Sequence, residues 1–225
     1  MHMQPEKKYN VLIGIPTMDG MCTPLISVLL MWARGFKDVG VSFYFPYKVS
    51  PVSRARNEIL KFFFKERKNA KGEVLRPFTH LLFIDSDTVP PKDALTDLLD
   101  HEVDIVSGIT PILHYDTEKG KFSTMDNCFT HQDRDEKTGE VVQTHVVKRL
   151  TGLQKIWRCG TSCLLIKREV FEKLEQPYFV FEFNDDGTET KRSEDLYFCD
   201  KAHEAGFEIY ADTSVICQHV KDVIL

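Results

Sequence analysis

The 225-residue sequence lacks the features that would assign it to a membrane or to the secretory pathway. No apolar run approaches the ~20 residues that a membrane-spanning helix needs, and the stretch from residue 25 to 32 is too short. A charged start followed by an apolar signal core is also absent. From these absences we expect a cytoplasmic protein with no membrane span.

The six cysteines form no Cys-x-x-Cys pair, and this argues against a zinc ribbon. Most of them lie in apolar stretches, such as the one around Cys163. Free cysteine is among the most frequently buried residue types, so we expect buried thiols in a reducing compartment.

The chain also lacks an excess of basic residues, with 29 Lys and Arg against 34 Asp and Glu and a net charge of −5. Proteins that hold nucleic acid by overall electrostatics neutralise many phosphates, so this balance argues against that class. A local basic groove stays open, and an acidic balance suits a site that binds a divalent cation through carboxylates. The length fits one domain, residues 1–225.

Short apolar runs alternate with segments of helical spacing along the chain. The predicted strands are residues 9–16, 41–45, 79–84, 104–109 and 207–211, and the predicted helices are residues 23–34, 53–64, 92–99, 168–174 and 193–205. This order predicts an α/β fold with a single, Rossmann-like and mostly parallel central sheet flanked by helices. Residues 114–151 break the pattern with turn signals and little apolar content, which indicates paired short strands or a mobile loop over a site.

The triplet Asp85-Ser86-Asp87 directly follows a predicted buried strand. It therefore emerges at the carboxyl edge of the sheet, where open α/β sheets bind ligands. Carboxylate oxygens there suit Mg²⁺ or Mn²⁺ that bridges phosphates. The pair could instead cap the next turn, but two like charges beside an apolar strand repel each other unless a cation compensates them.

Glu194 and Asp195 follow Ser193 at the start of a predicted helix. Ser193 can cap that helix and acids in the first turn suit its dipole. The functional alternative makes Asp195 a general base.

His219 follows the last predicted strand. A lone histidine is more often a surface residue than a metal ligand. Its interpretation as a metal ligand therefore depends on its combination with the two acidic motifs.

Arg54, Arg56 and Asn57 open the second predicted helix. A helix N-terminus with two arginines is a natural place for an anion. A solvated basic turn explains the same residues equally well.

The order of these motifs resembles that of the GT-A fold glycosyltransferases, most closely the small family-two-like members of bacteria and phages. The resemblance covers about residues 11–220, and its motifs are Ile15-Pro16-Thr17, Ala55-Arg56-Asn57, Asp85-Ser86-Asp87, residues 160–166, Ser193-Glu194-Asp195 and His219. It implies a single GT-A domain in which residues 114–151 are an insertion or acceptor-side loops, with a small antiparallel element near the acceptor side. It also implies a host-cytoplasmic location if the protein is phage-encoded.

The resemblance assigns roles to individual positions. Donor-binding residues are Pro16, Thr17, Asp19, Arg54, Arg56, Asn57, Asp85 and Ser86. Ligands for Mn²⁺ or Mg²⁺ are Asp87 and His219, with Asp85 at the metal or the ribose. The sugar and acceptor pocket is lined by Gly160 and Thr161, and the catalytic residues are Asp195, as base, and Glu194.

The implied activity is metal-dependent transfer of a hexosyl-type sugar from a nucleoside-diphosphate sugar, with a UDP-sugar favoured, to an acceptor hydroxyl. Inversion with Asp195 as base is the expected course, although some GT-A relatives retain configuration. The QxxRW motif of processive relatives is absent, which argues against a polymer synthase. No clear acidic residue follows the second strand, where many relatives contact the base or ribose, so the nucleotide stays open.

Two other functions stay open. A metal-dependent nucleotidyltransferase would use similar parts, but its Gly-rich triphosphate loop is missing. A catalytically inactive GT-A-like module would bind nucleotide-sugar only, and the retained acids and His219 count against it. The acceptor also stays open: a modified DNA base is one candidate if the source is a phage, and a glycan, protein, lipid or small molecule is equally compatible with the sequence. The basic residues of 148–158 could touch a phosphate backbone, but in an acidic chain we favour ordinary exposed charges.

Overall fold

The structure is a computed structural model that describes residues 8–116, 120–134 and 141–221. Its helices are α1 (Thr23–Ala33), α2 (Val52–Phe64), α3 (Ala94–Asp100), α4 (Arg168–Lys173) and α5 (Glu194–Glu204). The strands of the first half are β1 (Tyr9–Gly14), β2 (Val39–Tyr44), β3 (His80–Ile84), β4 (Thr88–Val89), β5 (Ile105–Ile109), β6 (Pro111–Asp116), β7 (Lys121–Asp126) and β8 (Cys128–Arg134). Those of the second half are β9 (Val141–Val146), β10 (Leu153–Ile156), β11 (Arg158–Cys159), β12 (Cys163–Lys167), β13 (Glu182–Phe183), β14 (Thr190–Arg192), β15 (Ile209–Ile216) and β16 (Gln218–His219).

A seven-stranded sheet in the order β10-β15-β5-β12-β3-β1-β2 forms the centre of the molecule. β1 pairs in parallel with β2 and β3, and β15 pairs in parallel with β5. β12 runs antiparallel to both β3 and β5, and β10 runs antiparallel to β15. Five strands therefore share one direction and two oppose it, as predicted for a mostly parallel α/β sheet.

The helices cover both faces of this sheet, and the side-chain alternation of β3 shows why. Leu81 and Phe83 pack in the core cluster that includes Phe63 of α2, whereas Leu82 and Ile84 pack in the opposite cluster with Trp32 of α1. Successive strand residues point to opposite faces, so a strand that is buried along its whole length needs cover on both sides. α3 joins α1 on its face, and α4 and α5 join α2 on the other.

Two antiparallel hairpins form the region that interrupted the α/β pattern. β6 pairs with β7, and β8 pairs with β9 on one side and β11 on the other. The prediction of paired short strands in 114–151 is thus confirmed for its described part, and residues 117–119 and 135–140, which carry most of the turn signals, lie outside the described residues. The last strand, predicted at 207–211, continues to residue 216 because β5 and β10 pair with it on its two sides.

The carboxyl ends of the five codirectional strands meet at one edge of the sheet. The triplet that begins at Asp85 leaves β3 there, and the chain that carries His219 leaves β15 there. β12 runs the other way and starts at this edge, so the turn at Gly160 lies there as well. His219 pairs with Thr88 in the small β4–β16 ladder, which brings the C-terminal segment onto the triplet.

All six cysteines are free thiols; five of them are buried and Cys22 is partly so, as expected from the sequence. Within the described part of the chain, no helix combines the length and apolarity that crossing a bilayer requires.

Candidate active site

A buried arginine joins the two acidic motifs. The Arg56 side chain is only 4% exposed; its Nη2 donates to Asp85 Oδ1 at 2.9 Å, and its Nη1 forms an ion pair with the buried Glu194. A buried guanidinium is tolerated only when carboxylates compensate its charge. Arg56 therefore fixes α2, the end of β3 and the start of α5 to one another, with Asp195 following directly on Glu194.

Asp87 and His219 meet at the same edge. His219 Nε2 lies 3.2 Å from Asp87 Oδ2, and the backbone N–H of Val220 donates to the Asp87 carbonyl at 2.8 Å. The ammonium of Lys221 also donates to Asp87 Oδ2, at 2.6 Å. Sequence reasoning missed Lys221, although its position two residues after His219 in an extended segment places both side chains on one face.

The electrostatic surroundings keep Asp87 ionised. Its partial burial by itself would raise the pKa of the carboxyl, but the hydrogen bond from Lys221 and the nearby imidazole of His219 outweigh that effect, and the pKa lies below its ordinary value. An ionised carboxylate is the form that ligates a cation.

The geometry of His219 fits a divalent metal. His219 Nδ1 lies 2.8 Å from the Pro111 carbonyl, to which it can only donate. The other ring nitrogen, Nε2, is thereby turned toward Asp87 Oδ2, and a metal-ligating histidine typically has its second ring nitrogen held by such a carbonyl. Adjacent ligands of an octahedral Mg²⁺ lie about 3 Å apart, close to the spacing of these two atoms.

Asp85, which the resemblance also placed at the metal or ribose, takes a different partner. Its Oδ1 accepts the bond from Arg56. Among the described residues, its carboxylate does not come within 4.8 Å of the ligand atoms of both Asp87 and His219. Asp85 therefore lies beside the Asp87–His219 pair rather than within it.

The two carboxylate oxygens of Asp195 have different surroundings: Oδ1 is hydrogen-bonded within the first turn of α5, and Oδ2 faces the turn at Gly160. Its Oδ1 accepts the hydroxyl of Ser193 and the backbone N–H of Leu196, the latter at 2.8 Å. A Cβ added at Gly160 would lie 3.5 Å from Asp195 Oδ2. Ser193 does occupy the N-cap position of α5, but its hydroxyl is used to orient Asp195 and makes no capping bond.

The turn that faces Asp195 is held by Asn127, which sequence reasoning also missed. Asn127 is 2% exposed; its Oδ1 accepts the Thr110 N–H at 2.8 Å and its Nδ2 donates to Ser162 Oγ at 3.0 Å. Its carbonyl accepts the Gly160 N–H at 2.9 Å. Thr161 is buried in the same turn. The only sequence signal was a polar dipeptide between two strands, which does not separate such a residue from an ordinary turn.

The predicted nucleotide loop lies against the triplet. Thr17 Oγ1 bonds the backbone of Gly20 in both directions, as donor at 2.7 Å and acceptor at 3.1 Å, which shapes the loop. The Cys22 N–H donates to the Ser86 carbonyl at 3.0 Å, so the loop after β1 touches the loop after β3. Pro16 is buried and Asp19 is exposed at the loop surface.

Two predicted donor-binding residues of α2 have surroundings that differ from those of Arg56. Asn57 donates to the carbonyls of Ser53 and Phe179, at 2.8 and 2.7 Å, and its Oδ1 accepts backbone N–H groups of the same distant segment. The amide of Asn57 therefore positions the segment at residues 178–179. Arg54 is exposed and lines a separate hollow of about 500 Å³ with Phe181.

The basic residues of 148–158 are largely paired with carboxylates. Ion pairs join Arg149 to Asp126, Lys155 to Glu208 and Arg158 to Asp200. Paired charges of this kind have little free capacity for a phosphate backbone, which favours the interpretation as an ordinary charged surface.

No family model matches the sequence, and no curated protein matches it. Solved structures do share its fold. A197 from STIV superposes with a TM-score of 0.55 at 20% identity, over 95% of this chain and 86% of that one. GalNAc-T7, solved with UDP, GalNAc and Mn²⁺, superposes with a TM-score of 0.58 at 10% identity, over 96% of this chain and 43% of that one. This chain thus spans less than half the length of GalNAc-T7. The likeness confirms the predicted GT-A fold, and at these identities it establishes the fold alone.

Proposed function

We propose that this protein is a metal-dependent glycosyltransferase that moves a sugar from a nucleoside-diphosphate sugar to an acceptor hydroxyl. The observation that carries the proposal is the Asp87–His219 pair at the carboxyl edge of a GT-A sheet, with the imidazole oriented by the Pro111 carbonyl. Open α/β sheets bind their ligands at this edge, and such a pair is a natural holder of a divalent cation there.

The donor would lie between the loop after β1 and the triplet after β3. Pro16, Thr17 and Asp19 would face the base and ribose, and Ser86 and Asp85 would lie beside the ribose and sugar. A UDP-sugar is favoured because the structural neighbour GalNAc-T7 was solved with UDP. Mn²⁺ or Mg²⁺ held by Asp87 and His219 would offset the charge on the diphosphate leaving group.

Asp195 would act as the general base. Its Oδ1 is fixed by Ser193 and the Leu196 N–H, so Oδ2 is left to accept the proton of the acceptor hydroxyl on the Gly160 side. The acceptor oxygen then bonds to the anomeric carbon as the bond to the diphosphate oxygen breaks, and the nucleoside diphosphate leaves with the electron pair. One such displacement inverts the anomeric configuration. Glu194 contributes indirectly, because its pairing with Arg56 holds the first turn of α5 in place.

A second candidate function is glycosyl transfer that requires no metal ion. Lys221 already places a positive charge 2.6 Å from Asp87 Oδ2, at the position where a cation would compensate the diphosphate. The two candidates differ in one measurable property, the effect of a chelator on donor binding and transfer.

A thermal-shift screen of UDP-, GDP- and dTDP-sugars with and without Mn²⁺ tests the proposal, with Asp87→Asn as the matched variant. Ligand at one hundred times its Kd stabilises the folded state by about 2.7 kcal/mol, a Tm rise of about 5–10 °C for a domain of this size. We expect one nucleotide class to give a Mn²⁺-dependent rise that Asp87→Asn abolishes.

Three outcomes would replace the proposal. A rise that persists in EDTA and disappears in Lys221→Ala would favour the metal-independent candidate. Donor binding without transfer to any acceptor or water would favour a binding module. Release of pyrophosphate from a nucleoside triphosphate would favour a nucleotidyltransferase.

A further inference from the structure

A three-residue cluster of two imidazoles and a carboxylate lies on the β8–β9 hairpin and shares no residue with the candidate active site. His131 and Asp133 are two residues apart on β8, and His145 on β9 is the cross-strand partner of His131. Residues two apart on a strand share a face, and directly opposed residues are neighbours on that face. The register of the hairpin thus brings all three side chains together.

The contacts within the cluster are close. His145 Nε2 lies 2.8 Å from Asp133 Oδ2, and His131 Nε2 lies 3.9 Å from Asp133 Oδ1. The two imidazole rings stack with their centroids 3.9 Å apart and their planes 11° from parallel. One ligand atom from each residue lies within 4.8 Å of the other two.

The bonds of Thr130 orient one imidazole for ligation. Its hydroxyl donates to the His145 carbonyl at 3.2 Å, so its oxygen is left to accept the N–H of His131 Nδ1 at 3.1 Å. That choice of tautomer leaves the lone pair of His131 on Nε2, the atom that faces Asp133. A ligating histidine typically has its other ring nitrogen bonded in this way.

We propose that His131, Asp133 and His145 form a binding site for a divalent transition-metal ion of the zinc class, distinct from the Asp87–His219 pair. Two imidazoles and one carboxylate suit Zn²⁺, whereas an oxygen-rich site suits Mg²⁺ or Mn²⁺. Ligand atoms of a tetrahedral Zn²⁺ lie about 3.3 Å apart, so the imidazoles must close in by modest rotation about χ2, a torsion with a broad minimum.

The exposure of the cluster leaves room for the remaining ligands. The side chains of His131, Asp133 and His145 are 58%, 55% and 31% exposed, so water can complete the coordination and the ion can enter directly from solvent. Binding replaces the Nε2 proton of His145 by the metal, so a proton is released when the imidazole was its donor.

Such an ion would tie β8 to β9 near their outer end. β8 also pairs with β11, which directly precedes the turn at Gly160. The metal would therefore stiffen the hairpin that borders the turn at Gly160, which faces Asp195.

Isothermal titration of the EDTA-treated full chain with Zn²⁺ tests this site. The variants are His131→Ala, Asp133→Asn and His145→Ala, and His114→Ala, which removes an exposed histidine from the neighbouring hairpin, is the matched control. We expect wild type, His114→Ala and Asp87→Ala to retain a Zn²⁺ equivalent that the three hairpin variants lose. Side-chain ¹H–¹⁵N spectra should show His131 and His145 responding first.

Two results would overturn the proposal. One is a Zn²⁺ isotherm unchanged in all three hairpin variants. The other is binding that Asp87→Ala removes and His145→Ala retains. The three side chains are exposed, so the variants should fold, and equal Tm values in EDTA provide the check; Asp133→Asn, which preserves the shape of the side chain, decides the result if a histidine variant does not fold.

Discussion

The sheet edge and the β8–β9 hairpin each place an imidazole beside a carboxylate, and the two arrangements are built in opposite ways. At the sheet edge, Asp87 and His219 are 132 residues apart, and a carbonyl from a third segment, Pro111, orients the ring. On the β8–β9 hairpin, the register of two neighbouring strands alone brings His145 to Asp133.

The two arrangements differ in burial accordingly. His219 is 16% exposed and lies under several converging segments, whereas the hairpin cluster is open to solvent. Electrostatic interactions strengthen as water is excluded, so only the assembled site has the surroundings that catalysis needs. A cluster made by one hairpin can bind an ion but cannot enclose a substrate.

The largest effect should come from Asp195→Asn, which tests whether the chemistry is confined to the sheet edge. Loss of a general base typically costs 10²–10⁴-fold, so we expect kcat to fall by roughly that factor. The donor-induced Tm shift and Zn²⁺ binding at the hairpin should remain, because Asp195 is part of neither the proposed donor-binding site nor the hairpin metal site. Unchanged kcat in steady-state assays would remove Asp195 from the mechanism.

Arg56→Ala tests the claim that buried charge holds the sheet edge together. Removing one partner of a buried ion pair costs about 3–5 kcal/mol, because the remaining charges stay desolvated. Asp133→Ala on the exposed hairpin should change the free energy of unfolding far less, because solvent screens exposed charges. Urea denaturation measures both.

A double variant separates the charge effect at Arg56 from simple loss of packing. Arg56→Met with Glu194→Gln should be less destabilised than the sum of the single changes. Strict additivity would contradict the coupling between Arg56 and Glu194.

The same substitution at each place, His219→Ala and His145→Ala, sharpens the comparison directly. We expect His219→Ala to reduce Mn²⁺-dependent kcat/KM by roughly 10²–10³-fold, the usual cost of losing a group that stabilises transition-state charge. His145→Ala should remove Zn²⁺ binding and change kcat/KM little. If His145→Ala lowered kcat/KM and His219→Ala left it unchanged, the assignment of catalysis to the sheet edge would be wrong.

His80 is a buried histidine whose ring contacts the Thr79 hydroxyl, and it should give the smallest effect. Burial, aided by the charge of Lys167, lowers the pKa of His80 from 6.5 to about 4. Between these values the unfolded chain binds the proton and the folded chain does not, so stability falls as the pH falls. From pH 7 to pH 5 this should cost about 2 kcal/mol.

The readout for His80 is the pH dependence of stability, measured by urea denaturation of wild type and His80→Leu at pH 7 and pH 5. The variant should lose less stability between the two pH values, whatever its absolute stability. Equal losses in both proteins would mean that His80 titrates normally in the folded state.

The local pattern of apolar residues was sufficient to predict much of the fold. The apolar run of β3 predicted a buried strand, and its position before Asp85 predicted carboxylates at the sheet edge. The spacing of α1 and α5 predicted helices, because a 3.6-residue period needs only neighbouring residues. The full length of β15 was missed, since strand length depends on partners that are distant in sequence.

What the amino-acid sequence determined by itself was therefore the five helices and the five codirectional strands of the central sheet, the acidic triplet at a strand end, and the pair at the start of α5; the opposing strands β10 and β12 were not among the predicted strands. Only the tertiary structure decided that Arg56 takes Asp85 and Glu194 as partners, that Pro111 orients His219, that Lys221 shares Asp87, and that Asn127 holds the turn at Gly160. These contacts join segments far apart in the chain. Their formation depends on sheet order and burial, and no local periodicity carries that information.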